Sequence, residues 1–286
     1  MGNLILTAPA KINLNLNVLP QRGRNGYFEV RFINSQAALS DRLIVRLSKT
    51  PGICLKGSVA PPEQDLALRA ARILMERYGM KGGMTIRIKK HIPLKAGLGG
   101  GSADAASVLN GLAAHAGLDL SPEEKNGIAR ELGMDVCYCV VGGLCTVSGT
   151  GEIVRRLPFP LPQLDLLIAT PHETKPSTAW AYSILSEDEM GRSVQRYERL
   201  LQCIEQGDIQ GMAENMHNDF ELPMERHFPI IASMRETMTQ EGALRALLAG
   251  SGLSVFGIFT NTQSMTRAKR KLEQKGIRCF ATSTIV

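Results

Sequence analysis

No apolar run in these 286 residues approaches the ~18 that a membrane-spanning helix requires. The opening, Met1 to Leu6, carries no basic stretch ahead of an apolar one. No secretory signal is therefore expected, and the chain is expected in the cytoplasm. Aromatics are scarce, at 5%, and do not interleave with a dense basic block. A nucleic-acid partner is not expected on that pattern. Cys54, Cys137, Cys139, Cys145, Cys203 and Cys279 lack paired C-x₂-C spacing or neighbouring histidines. They read as small apolar residues of buried strands, and no metal site is expected from them. No Gly-Lys-Ser/Thr triplet occurs, which excludes a Walker phosphate loop. Internal repeats and low-complexity tracts are absent as well.

What is present is an ordinary soluble composition, 44% apolar and 21% charged, with a formal charge of +6. A modest basic excess suits polyanionic substrates. Ile12, Leu14, Leu16 and Val18 alternate with Lys11, Asn13, Asn15 and Asn17, which predicts a strand with one buried and one polar face. Further strands are expected through Leu43–Leu47, Met84–Ile88 and Val140–Val147. Asp65 to Tyr78 has helical spacing and stops at Gly79. A second helix is expected to start near Ser102 and close at Gly117, and Ser121-Pro122-Glu123-Glu124 reads as a capping box for a third, ending at Gly133. The proline-rich stretch from Leu157 to Pro162 is the best candidate join, dividing the chain into 1–157 and 158–286. The second half predicts strands at Leu164–Thr170 and Ser254–Phe259 and a last short one, with helices near 177–185, 192–204, 229–239 and 266–275. Strands and helices mix without regular βαβ alternation, which favours α+β over a doubly wound sheet.

The most informative segment is Ile92-Pro93-Leu94-Lys95-Ala96-Gly97-Leu98-Gly99-Gly100-Gly101-Ser102-Ala103-Asp104-Ala105-Ala106. Glycines admit close approach of backbone to ligand, and a helix opening after them presents N–H groups to an anion. A phosphate cradle follows, with Ser102 placed to cap the helix, face Mg²⁺ or touch a phosphate oxygen. A dinucleotide fingerprint is excluded because Ser102 stands where its last glycine belongs.

Pro-x-x-x-Gly-Leu-Gly-Gly-Gly-Ser-x-x-Ala-Ala resembles the phosphate loop of the GHMP kinases. Within that family, residues 97–106 are most similar to the branch that phosphorylates the 2-hydroxyl of 4-diphosphocytidyl-2-C-methyl-D-erythritol in non-mevalonate isoprenoid synthesis. Further words fit in order: Ala8-Pro9-Ala10-Lys11-Ile12-Asn13-Leu14, Gly26-Tyr27, Leu132-Gly133-Met134-Asp135-Val136, Gly149-Thr150-Gly151-Glu152, Ser177 to Tyr182, Asn218-Asp219-Phe220-Glu221 and Gly250-Ser251-Gly252. The resemblance implies a two-domain fold, an N-terminal ribosomal-S5-like ATP-binding domain and a C-terminal ferredoxin-like domain.

The resemblance also implies roles. Asp135 would be the base and Lys11 its cationic neighbour. ATP would lie on Pro93, Lys95, Ala96, Gly97, Leu98, Gly99, Gly100, Gly101, Ser102 and Ala103, with Asp65 near the adenine. The acceptor would meet Asn13, Tyr27, Phe28, His172, Thr178, Gly250 and Ser251. The partners implied are ATP, Mg²⁺ and a cytidylyl-linked sugar alcohol, acting on a monomer or homodimer. Three positions depart from the pattern. Phe28 stands for the base-reading histidine, Asp65 for an asparagine and Cys137 for a proline. A mevalonate or phosphomevalonate kinase, a nucleotide-binding protein without transfer, and an ATP-driven decarboxylase stay open at this point.

Overall fold

The computed structural model describes residues 3–285. They form two compact units, one from the chain up to Lys11, Leu39–Ile92 and Gly99–Gly142, the other from Ile12–Ala38, Pro93–Leu98 and everything from Gly143 onward. These units interleave in sequence, a partition different in kind from one join at 157/158. The reason is the length of the first two strands: β1 (Asn3–Arg22) and β2 (Phe28–Ser48) span 20 and 21 residues and thread both units.

The first unit adds β3 (Gly52–Lys56), α1 (Leu66–Tyr78), β4 (Gly83–Lys89), α2 (Gly100–His115), α3 (Pro122–Leu132) and α4 (Met134–Val141). Antiparallel pairing of β2 with β4 sets Leu43 opposite Ile88 and Val45 opposite Ile86, all four buried. β3 runs parallel on the far side of β4. Asp65 is the N-cap of α1, one residue outside the expected helix, and left-handed Gly79 ends it as the spacing predicts. Ser121 and Glu124 close their capping box on α3. Helix α2 is buried more widely than one face, through Ala103, Asp104, Ala105, Ala106, Val108, Leu109, Leu112 and Ala113. A helix apolar nearly all round belongs in a core.

Two expectations are corrected here. Val140 and Val141 end a helix, α4, and the strand after it is only Cys145–Ser148. Gly133 (φ 157) and Gly142 (φ 63) bracket eight residues short enough to pass for a turn and a strand start. Cys137 and Cys139 are thus helical. In β1 the polar row is not a solvent face, since Lys11, Asn13, Asn15 and Asn17 are 5, 0, 0 and 0% exposed.

The second unit continues with β5 (Cys145–Ser148), β6 (Ile153–Arg156), β7 (Asp165–Thr170), α5 (Thr178–Ser183), α6 (Val194–Gln206), α7 (Ile209–Asn215), β8 (His217–Asn218), α8 (Glu221–His227), α9 (Ile230–Gln240), β9 (Arg245–Leu248), β10 (Val255–Phe259), α10 (Thr262–Gln274) and β11 (Arg278–Ser283). Its four-stranded antiparallel sheet has the order β11-β7-β10-β9, the 4-1-3-2 arrangement of a ferredoxin-like layer, with α9 and α10 packed on it. β8 pairs in parallel with β1 through Asn15 and Leu16. Among the described residues no helix is long and apolar enough to cross a membrane.

Candidate active site

The glycine segment is shaped by two close approaches. Gly97 has φ 84, and a Cβ added there would lie 1.8 Å from the carbonyl oxygen of Ala249. A Cβ on Gly252 would lie 2.3 Å from the carbonyl carbon of Ala96. The turns at 97 and at 250–252 therefore pack backbone on backbone, and no L side chain fits between them. Lys95 is the non-glycine residue with positive φ among those described, at 55°; its side chain is exposed, while Pro93, Ala96 and Leu98 are buried.

Helix α2 begins two residues earlier than the sequence predicts, and its N-cap is Gly99 (φ 65), with no side-chain cap. Ser102 thus sits inside the first turn. Helix geometry leaves the N–H groups of Gly100, Gly101 and Ser102 without intrahelical acceptors, at the positive end of the helix dipole. The Ala103 N–H bonds back to the Gly99 carbonyl. Small residues crowd nothing there: a Cβ at Gly101 would meet no atom within 4 Å.

Lys11 lies against this turn. Its Cγ would be 2.7 Å from a Cβ on Gly99, and its Nζ is 3.9 Å from Asp135 Oδ2. The lysine side chain is 6% exposed and the aspartate 50%. An ion pair with one half-exposed partner is worth about 1 kcal/mol or less. Asp135 occupies the first turn of α4, directly after its N-cap Gly133 and Met134.

The remaining predicted contacts fall in several places. Asp65 uses one carboxylate oxygen to cap Leu68 N–H and receives the Ser58 hydroxyl on the other. Asn13 donates to Asn34 Oδ1 at 2.7 Å, deep in the core. Tyr27 is 62% exposed. Phe28 lies nearly parallel to Tyr182, at 6.1 Å and 11°, with the Arg22 guanidinium 3.8 Å from its ring centroid. Thr178 opens α5 and is exposed. His172 lines a cavity of about 210 Å³ with Lys95, Ala96 and Arg278. Ser251 meets the buried Lys175 ammonium at 3.1 Å.

Sequence models of known families match here twice, the GHMP kinases N terminal domain over residues 65–143 and the GHMP kinases C terminal over 200–278. The chain is 36% identical to a 4-diphosphocytidyl-2-C-methyl-D-erythritol kinase of Acetivibrio thermocellus, across 100% of both chains. It belongs to this family of GHMP kinases. A crystal structure of a 4-(cytidine 5'-diphospho)-2C-methyl-D-erythritol kinase superposes with TM-score 0.83 at 31% identity, covering 98% of each chain. Homoserine kinase from Cytophaga hutchinsonii gives 0.78 at 19% identity, over 100% of this chain and 95% of that one, a likeness of fold alone.

Several of this GHMP kinase's motif residues turn out to be supports. Asn218 donates to the carbonyls of Leu248 and Gly250, holding the 250–252 turn. Buried Asp219 accepts from Val18 N–H, Gly191 N–H and the His217 ring. Glu152 ties down Thr150, whose hydroxyl receives Asn25 and so anchors the turn before Phe28.

Other residues escaped the sequence reading. Lys175, beside Pro176, gave no signal, yet its ammonium also reaches the Ser177 carbonyl. Tyr182 was legible only as part of a motif. The largest omission is Lys90, which bridges Asp41 and Asp104. Burial pushes the Asp104 carboxyl up, to about 7, against the pull of Lys90. Burial on its own would lower Lys90, but the two carboxylates outweigh it and its pKa is raised. Cys139, in the same unit as Lys11 and Asp135, is driven far above the ordinary thiol range by burial, with Asp135 adding to the rise.

Among the described residues no group of three His, Cys, Asp or Glu side chains could hold a metal ion. The Ser102 hydroxyl, in the first turn of α2, is a hard oxygen donor, and a single such donor suits Mg²⁺ carried mainly by a nucleotide's phosphates and not a protein cage.

Proposed function

We propose that this chain transfers the γ-phosphoryl group of ATP to the 2-hydroxyl of 4-diphosphocytidyl-2-C-methyl-D-erythritol. One observation carries the reading: Lys11 touches both halves of the chemistry, its stem against Gly99 and its ammonium 3.9 Å from Asp135. Phosphoryl transfer asks a protein chiefly for positioning and charge stabilisation.

In this scheme the first-turn N–H groups of α2 hold the triphosphate. Asp135 accepts the proton of the acceptor hydroxyl, and Lys11 stabilises the forming alkoxide. Ser102 would hold Mg²⁺, which when bound neutralises phosphate charge. The near-parallel rings of Phe28 and Tyr182 offer a stacking platform for the pyrimidine where the family histidine is missing. The acceptor itself is carried over from relatives similar along the full chain.

The test is ADP release from Mg-ATP in the presence of each alcohol separately. Turnover with the cytidylyl-linked alcohol, and none with mevalonate or phosphomevalonate, is expected. Phosphorylation of mevalonate in its place overturns the proposal, and release of CO₂ marks a decarboxylase.

A further inference from the structure

The segment entering the glycine loop and the helix leaving it are joined by a buried ionic cluster. Asp41, at 0% exposure, accepts the backbone N–H groups of His91 (2.6 Å) and Ile92 (2.9 Å), fixing the entry. Asp104, one turn into α2 and 4% exposed, fixes the exit. Lys90 joins them: its Nζ bonds Asp41 and lies 2.7 Å from Asp104 Oδ2. That ammonium is also 3.4 Å from where a Cβ on Gly100 would stand. Removing one partner of such a cluster strands a buried charge, so its members are held for geometry as much as for stability.

We propose that Lys90 is a positioning residue for nucleotide binding: clasped between Asp41 and Asp104, it holds the two ends of the glycine loop so that the first-turn N–H groups of α2 converge on the phosphates. The inference rests on the reading of that loop as the ATP site. The clasp carries two carboxylates for one ammonium, and Asp104 Oδ1 is buried with no hydrogen-bond partner among the described residues.

The experiment titrates trinitrophenyl-ATP into wild type, Asp104→Asn and Lys90→Met, with thermal melts alongside. Asp104→Asn keeps shape and removes charge. It is expected to bind roughly three- to tenfold more weakly than wild type, because the bond to Lys90 becomes a neutral one. Lys90→Met is expected to bind more weakly still, with KM for ATP raised more than KM for the acceptor. Unchanged affinity in Asp104→Asn, or a KM for the acceptor raised as much as that for ATP, overturns the proposal, and Asp104→Asn decides the matter should Lys90→Met not fold. If wild type binds the nucleotide and never phosphorylates the cytidylyl alcohol, the functional proposal alone fails. If wild type binds no nucleotide, both fall.

Discussion

Replacing Gly101 by alanine adds one methyl group to the first turn of α2 at a point with no neighbour within 4 Å. Alanine is favoured over glycine in helices by up to about 1 kcal/mol, so the variant should be as stable as the parent or slightly more so. Yet the methyl would stand over the N–H groups assigned to the triphosphate. Losing one charge-assisted hydrogen bond costs about 1.5–3 kcal/mol, a fall in affinity of roughly ten- to a hundredfold. Thermal denaturation and trinitrophenyl-ATP titration on one preparation measure both quantities. Gly97→Ala is the counterpart. Left-handed backbone costs a side chain about 1–2 kcal/mol, and collision with the Ala249 carbonyl adds overpacking of about 1–3 kcal/mol, so its melting temperature should fall. A stable Gly101→Ala protein that binds nucleotide like wild type would refute the cradle.

Asp135→Asn should lower kcat by roughly 10²–10⁴-fold, the span of general base catalysis, and leave nucleotide affinity nearly unchanged; steady-state kinetics with a binding titration checks it. Phe28→Ala should raise KM for the acceptor more than it lowers kcat, since a base–aromatic stack is worth about 1–3 kcal/mol. The Glu189 carboxyl is held at about 2, chiefly by its hydrogen bond from Arg226. A lowered carboxyl pKa stabilises the fold above the unfolded value and is lost as pH falls through the folded one. Arg226 is mostly exposed, so Arg226→Ala should lower stability only slightly at neutral pH and not at all below about pH 2, read from urea denaturation at each pH.

Elements with local signals were legible from sequence. The Asp65 and Ser121 caps, the Gly79 stop and the opposed apolar rows of β2 and β4 all rest on residues a few positions apart. The glycine loop was legible as well, because its composition serves few other ends. Failures came where tertiary context overrides pattern. α4 is too short to display a period, β8 is two residues long, and the polar row of β1 is covered by parts of the chain that no local window contains. Lys90 and Asp41 are 49 residues apart and meet only because β2 and β4 are paired, so nothing local marks the clasp. Lys11 and Asp135 are 124 residues apart, and only the family resemblance pairs them in the sequence.

The threading of β1 and β2 through both compact units has a practical consequence for dissection of the protein. A fragment starting at the proline-rich stretch would lack Ile12–Ala38, and with it the partner of β8. Its complement would keep β1 beside β2 but would lose the β8 pairing at Asn15 and Leu16. Neither half is expected to survive as a separate expression product, and chimaeras made by exchanging carboxy-terminal halves between relatives inherit mismatched strand edges. Grafts have to follow the spatial units, moving three segments of chain together.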